Sequence, residues 1–343
     1  MAAQQIPKPA LVAFELTGRC KYNCIHCRLP AAGPDQEPDT STCLRIISAV
    51  ARYCRCTMIL TGGEPMARQD LSELIHAGSQ MGLNMVMATC GEGLDQKAAS
   101  RLKAAGLRVL AFSIDGPDPR THDRFRGIDG AFDTILKASK SARDAGLPFQ
   151  INTTVTRLNA PYLLDIARLA RDLGAICFNV FILVPTGKGK QIQDQVLDPD
   201  AYESTLRLIA RIPSMLGIAA RVTCGPQLVR VLAEAGNQQH DIQAHGCMGG
   251  IRFAFIGRTG AVQACGFLDL PAGNLVEENF DFRRIWEGSQ LFTALRDRAK
   301  ISGHCRTCRY LYACSGCRAR AYTLCGDYLA SDPICKGPDP IQP

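Results

Sequence analysis

The chain has 343 residues, 46% hydrophobic and 21% charged, an ordinary globular composition that leaves room for two domains and excludes a disordered or low-complexity protein. No apolar run approaches the ~18 residues of a membrane span, and the opening MAAQQIPKPA lacks the charged-then-apolar pattern of a signal peptide, so the expectation is a cytoplasmic protein with no membrane partner. The formal charge of +7 contains no run of five or more Lys or Arg, which excludes a nucleic-acid patch and suits an anionic small substrate.

Six apolar or β-branched runs follow in chain order at residues 11–17, 56–63, 84–91, 109–116, 149–155 and 177–185. Helical patterns such as DLSELIHAGSQMG, QKAASRLKAAG and YLLDIARLARDLG separate them. Strand, helix, Gly and strand again is the βα unit, and right-handed crossovers wind six of them into an α/β fold, a partial (β/α)6 TIM-like barrel open at one side. Its chemistry belongs at the C-terminal ends of the strands. The barrel is expected over residues 8–215, and a helical linker with the polar GNQQHDIQ over 216–245. A small domain over 246–338 holds eight of the seventeen cysteines. A segment so thiol-rich is expected to be held by metal more than by an apolar core, because a reducing compartment disfavours disulfides and leaves thiolates free to ligate.

Cys20, Cys24 and Cys27 stand three and two residues apart, directly after the first strand. Structural zinc wants four protein ligands in a closed tetrahedron, which three thiolates do not complete. A 4Fe-4S cluster with one iron free of protein accounts for the odd count. An incomplete zinc site is the alternative. The Cys-x3-Cys-x2-Cys loop of a βα barrel resembles the signature of the radical S-adenosylmethionine (SAM) enzymes. The resemblance implies a cluster whose open iron chelates the amino and carboxylate groups of SAM, with His26 beside the adenine. TGGEP at the end of the second strand resembles the SAM-amine motif, in which Gly62 and Gly63 let the backbone approach the ligand and Glu64 accepts from its ammonium group. FSID puts Ser113 and Asp115 on one face for ribose hydroxyls, and Asn152, Thr154 and Val184 are further cofactor candidates. Relatives often read Thr-Asn-Gly after the third strand; here it is Thr89-Cys90-Gly91.

The C-terminal cysteines resemble the SPASM module that carries auxiliary clusters in many such enzymes. By that resemblance Cys305, Cys308, Cys314 and Cys335 ligate one 4Fe-4S cluster, and Cys247, Cys265 and Cys317 hold a second with an open site, giving one or two auxiliary clusters. The final quartet spacing is x2 where the module usually has x3. A zinc ribbon built from two Cys pairs is the alternative. Cys43, Cys54, Cys56, Cys177, Cys224 and Cys325 fit no spacing and read as buried small residues.

The stretches THDRFRGIDGAF, FQINTTVTR, LVPTGKG, VQACGFLDLPAGN and CSGCRARAYTLCGDYLASDPIC resemble the haem-forming decarboxylases of the siroheme-dependent pathway. The resemblance implies oxidative conversion of two propionates of Fe-coproporphyrin III to vinyl groups, an anionic iron-tetrapyrrole substrate and a low-potential donor of flavodoxin or ferredoxin type. Cations for the propionates are sought among Arg124, Arg126, Lys188, Lys190, Arg221 and Arg252, with Lys188 and Lys190 favoured by their place after the sixth strand. His240 and His245 are candidate haem-iron ligands. Enzymes of haem d1 or didecarboxysiroheme maturation, a SPASM peptide maturase, and a non-enzymatic iron-sulphur carrier are the competing readings.

Overall fold

The computed structural model describes residues 6–29, 37–236 and 242–337. Seven strands lie side by side in parallel: β1 (Leu11–Thr17), β2 (Thr57–Gly62), β3 (Asn84–Thr89), β4 (Val109–Ser113), β5 (Phe149–Val155), β6 (Cys177–Ile182) and β7 (Ala219–Thr223). Along them Met58, Leu60, Met85, Met87, Leu110, Phe112, Ile151 and Phe178 are wholly buried. The residues between, such as Ile59, Val86, Ala111, Ser113 and Asn152, stay half-buried. Period-two alternation thus gives the sheet one face sealed by helices and one face that lines an open lumen.

The covering helices are α1 (Thr40–Tyr53), α2 (Leu71–Gln80), α3 (Gln96–Ala104), α4 (Pro119–Arg126), α5 (Ala131–Asp144), α6 (Leu163–Asp172) and α7 (Pro199–Leu216). Asp39, Asp95, Asp118 and Asp198 each cap one of them by accepting from a backbone N–H in the first turn. Beyond β7 come α8 (Leu228–Glu234), β8 (Ile242–Gln243), β9 (Phe253–Ile256), β10 (Ala261–Cys265), β11 (Leu268–Asn274), α9 (Phe282–Gly288), α10 (Gln290–Arg296) and α11 (Arg318–Cys325). The sheet order is β11-β10-β9-β1-β2-β3-β4-β5-β6-β7-β8, with β9 parallel to β1 and β10 antiparallel to both its neighbours. Its two edge strands do not pair with each other, so the barrel is partial.

Two expectations are corrected. The region read as a helical linker contains β7, which pairs with β6 from Cys177↔Ala219 to Phe181↔Thr223, so a boundary at residue 215 falls one strand short. Five residues between an 18-residue helix and a Gly-Pro turn are too few to announce a period of their own. The cysteine-rich end also has more apolar support than its composition suggests. Val262, Leu268, Leu275, Phe282, Trp286 and Phe292 join the main core, and only Ile301, Cys305 and Leu311 form a separate small cluster. The segment after Ile301 adds fewer residues to that core, among them Cys317, Ala319 and Ile334. No helix among the described residues is long and apolar enough to cross a membrane.

Candidate functional site

Cys20, Cys24 and Cys27 occupy the loop at the C-terminal end of β1, within electrostatic reach of one another. Three barrel elements hold that loop by its backbone. At the end of β2, Gly63 N–H donates to Thr17 O and Glu64 N–H to Arg19 O, both at 2.7 Å. At the end of α4, Arg126 O accepts from Asn23 N–H at 3.2 Å and Phe125 O from Ile25 N–H at 3.1 Å. After β6, Lys188 N–H donates to Cys27 O at 2.8 Å. The space freed by the two glycines is filled by this loop, not by a ligand: a Cβ on Gly62 would lie 2.4 Å from Thr17 O, and one on Gly63 2.2 Å from Arg19 O. Their role is corrected accordingly, from approach to a ligand to seating of the triad.

Glu64 is buried, and burial pushes its carboxyl up. It accepts from Thr89 Oγ1 and Cys90 N–H at 2.7 Å and from Met66 N–H at 2.9 Å, with the Cys90 thiol as a fourth donor. A carboxylate has about four acceptor positions, so an incoming ammonium group must displace one of these donors, and the Cys90 side chain is the one free to turn. Asp115 is corrected more sharply. It is fully buried, with one oxygen 2.7 Å from Thr154 N–H and the other 2.6 Å from Arg126 Nη2, so it sits beneath the lumen surface as the partner of that cation. Arg126 is corrected with it: buried desolvation alone would lower its pKa, but Asp115 and the Cys24 sulphur, 3.6 Å from Nη1, hold it firmly charged. It tethers the triad and is not a surface cation. His26 packs against Phe125 with ring centroids 4.8 Å apart, and burial lowers its pKa to about 4, so the ring is neutral. Its Nδ1 is buried without a hydrogen-bond partner, an opening for a polar group of a bound cofactor.

Ser113, Asn152 and Thr154 face the lumen from adjoining strands. Asn152 Oδ1 accepts from Gln150 at 2.8 Å and Asn179 at 3.2 Å, and Asn179 accepts from Thr223 at 3.2 Å, so a polar band crosses β5, β6 and β7. Val184 departs from its expected role: its side chain is 3% exposed and packed in the hydrophobic core. Lys188 is bonded through Nζ to Asn23 of the triad loop, whereas Lys190 and Arg124 are exposed. Arg252 lies with Lys8 and Arg55 in a shallow pocket at the starts of β1, β2 and β3, the face opposite the triad, and so cannot serve a substrate there. Arg221 sits in register with Asn179, and its buried Nε has no acceptor among the described residues. It is a candidate partner for an anion, with its charge felt by Cys177 on the neighbouring strand. His245 is exposed, and His240 lies outside the described residues.

The radical SAM superfamily model matches residues 14–189, which span the triad, GGEP, and strands β2 to β6. The chain belongs to the radical SAM superfamily. A Methanosarcina barkeri protein named AdoMet-dependent heme synthase is 39% identical over 339 residues, covering 95% of this chain and 96% of its own. A Nitratidesulfovibrio vulgaris protein of the same name is 37% identical over 341 residues, covering 96% and 92%. The structure of Streptococcus suis SuiB bound to precursor peptide SuiA superposes with a TM-score of 0.77 at 17% identity over 96% of this chain and 76% of that one, so the fold is shared. The protein is therefore a radical SAM enzyme, and membership implies SAM and a 4Fe-4S cluster. Cys20, Cys24 and Cys27 are the residues that would hold such a cluster, three thiolates for four irons, while the unpartnered His26 Nδ1 and half-open Ser113 and Asn152 suit a polar cofactor.

The radical SAM enzyme carries two further groups of thiols. Cys305, Cys314 and Cys335 are close neighbours, and Cys308 N–H donates to Cys305 O at 3.2 Å in the same turn. Cys265 neighbours Cys247 and Cys317, and Cys224, read from sequence as a buried small residue, has its thiol beside that of Cys317. The sulphurs of Cys20, Cys308, Cys314 and Cys335 each accept an N–H from two residues onward at 3.3 to 3.4 Å. Cys43 and Cys54 do the reverse, donating to carbonyls. An amide donor favours thiolate and a carbonyl acceptor favours thiol, although a hydrogen bond from Cys56 lowers the pKa of Cys54. Burial pushes Cys265 and Cys314 up to about 12, a cost that a ligated metal ion removes. No three His, Cys, Asp or Glu side chains among the described residues close on a single ion; the sulphurs of a four-iron cube bind separate irons and stand farther apart.

Proposed function

We propose that this radical SAM enzyme decarboxylates two propionates of Fe-coproporphyrin III to vinyl groups, giving haem b. The observation that carries the reading is the likeness to two proteins named heme synthase, which runs through both the barrel and the cysteine-rich end. When bound on a reduced cluster, SAM supplies a 5'-deoxyadenosyl radical that abstracts hydrogen. For each propionate one hydrogen atom leaves the carbon beside the carboxylate-bearing carbon, one electron leaves, the C–C bond to the carboxylate breaks to release CO2, and a vinyl C=C bond remains. The residues of this chain orient and neutralise. Arg221 and the Asn152-Asn179 band receive a carboxylate. The departing electron needs a sink, and an auxiliary cluster on the cysteines at 305, 308, 314 and 335 would supply one. A flavodoxin or ferredoxin of low potential would reduce the triad cluster, in a cytoplasmic setting.

The test is anaerobic incubation of the reconstituted protein with SAM, dithionite and Fe-coproporphyrin III, followed by mass spectrometry. Loss of two CO2 and four hydrogens with formation of 5'-deoxyadenosine is the expected result. 5'-Deoxyadenosine without any porphyrin change would overturn the substrate assignment and turn attention to sirohaem derivatives and then peptides. Cys314→Ala should retain SAM cleavage and lose product; full turnover would remove the electron-sink role.

A further inference from the structure

The spacing of the cysteine-rich end supplies three thiols for its second site, Cys247, Cys265 and Cys317, and so leaves one corner open. In the structure that corner has a fourth thiol beside it. Cys224 stands immediately after β7, at the C-terminal edge of the barrel, with its sulphur in hydrogen-bond reach of Cys317 and near Cys265. Cys265 in turn neighbours Cys247, so all four sulphurs belong to one constellation. The placement is built, not incidental. Cys224 holds a left-handed backbone with φ of 60°, unusual for a side-chain-bearing residue. Arg320 Nη1 donates to its carbonyl at 2.9 Å, and the fully buried Arg320 is locked to the fully buried Asp332 by contacts of 2.9 and 2.6 Å. Asp332 also accepts from Cys317 N–H at 2.9 Å, so one ion pair fixes Cys224 and Cys317 together. Gln227, on the turn that follows Cys224, completes the network by donating to Asp332 at 2.7 Å and accepting from Tyr202 at 2.6 Å.

We infer that Cys224 is the fourth protein ligand of the cluster held by Cys247, Cys265 and Cys317, closing that cluster to outside ligands and tying strand β7 of the barrel to the C-terminal domain. The inference rests on the reading of the C-terminal cysteines as cluster ligands. A site with four thiolates passes electrons without binding substrate, which leaves the triad as the cluster with a vacant iron.

The test uses the full chain with Cys20, Cys24 and Cys27 replaced by Ala, so that only C-terminal clusters report, reconstituted anaerobically with iron and sulphide. This parent should bind about eight irons, two four-iron cubes. Its electron paramagnetic resonance spectrum in the reduced state should be unmoved by added cyanide. Adding Cys224→Ala should change one of the two reduced signals as Cys317→Ala does, with loss of about one iron or a new response to cyanide, while the signal of the Cys305, Cys308, Cys314 and Cys335 cluster persists. Cys224→Ser should shift the same signal by replacing sulphur with oxygen. Unchanged iron, spectrum and cyanide response in Cys224→Ala would overturn the inference, as would a cyanide-responsive parent. If Cys224→Ala loses both signals through misfolding, the parent titration decides. A parent that binds no iron and sulphide refutes the cluster reading itself and the inference with it.

Discussion

The two thiol-bearing regions are built on opposite plans. The N-terminal triad is a loop held by backbone hydrogen bonds from three barrel elements, with glycines pressed against it and three sulphurs close together. The C-terminal set is held by side chains, chiefly the buried Arg320–Asp332 pair, and gathers more sulphurs than its motif counts. The difference teaches that one set of thiols is positioned chiefly through the peptide groups of its loop, with the Asp115–Arg126 pair as a tether, whereas the other is positioned chiefly by buried side chains.

The largest effect separates the two outright. Replacing Cys20, Cys24 and Cys27 with Ala should abolish 5'-deoxyadenosine formation while iron and sulphide remain at the C-terminal end; retained SAM cleavage would break the comparison. Each region also has a buried ion pair, Asp115–Arg126 and Arg320–Asp332, and cutting either is expected to cost about 3–5 kcal/mol of stability because the partner arginine is left charged and unpaired. The consequences should differ by region. Asp115→Asn releases Arg126 and loosens the triad loop, so SAM cleavage falls per folded molecule. Asp332→Asn releases Arg320 and should lower bound C-terminal iron while sparing SAM cleavage. Denaturant titration together with iron and 5'-deoxyadenosine assays reads all three quantities. A smaller effect, roughly 1–3 kcal/mol of overpacking, is expected for Gly63→Ala, whose methyl group must push Arg19 O away. Its SAM cleavage should drop more than its stability, since the strain falls on the triad loop.

Much of this was legible in the sequence, and what was not has physical reasons. β1 to β6 announced themselves as β-branched runs separated by helical periods, and the triad by spacing alone. Asp115 and Arg126 were read separately, as a ribose ligand and a free cation, because nothing linear shows that the end of β4 and the last turn of α4 converge on Cys24. Gly62 and Gly63 were recognised as positions requiring glycine, but whether the freed space belongs to a ligand or to Thr17 and Arg19 is a question of tertiary contact. Arg252 fell on the wrong face because a strand order with β9 beside β1 puts it at the bottom of the barrel. Cys224 sat in no motif, since its partners lie 23 to 93 residues further along the chain.

Acidity offers the mildest way to sharpen the contrast. His122 is 1% exposed, accepts from Asp115 N–H through Nδ1 at 3.1 Å and so must be neutral; burial, aided by Arg126, lowers its pKa from 6.5 to about 4. In the unfolded chain it takes up a proton below about pH 6.5, which the native site refuses until about pH 4. Stability therefore rises with pH across that window and is lost as pH falls, by about 2 kcal/mol at about pH 5. At the other end Asp332 is lowered from 3.8 despite burial, because Arg320 stabilises its charge, so its contribution persists until the pH falls below that ordinary carboxylate value. Mild acid should thus open the α4 region while the Arg320–Asp332 network holds. Hydrogen exchange at about pH 7 and about pH 5 should show amides of α4 losing protection before those of α11, and His122→Gln, which keeps an acceptor but cannot titrate there, should remove much of the difference. Equal loss at both ends would mean that the two regions unfold as one unit and that their separate means of support do not give them separate stabilities.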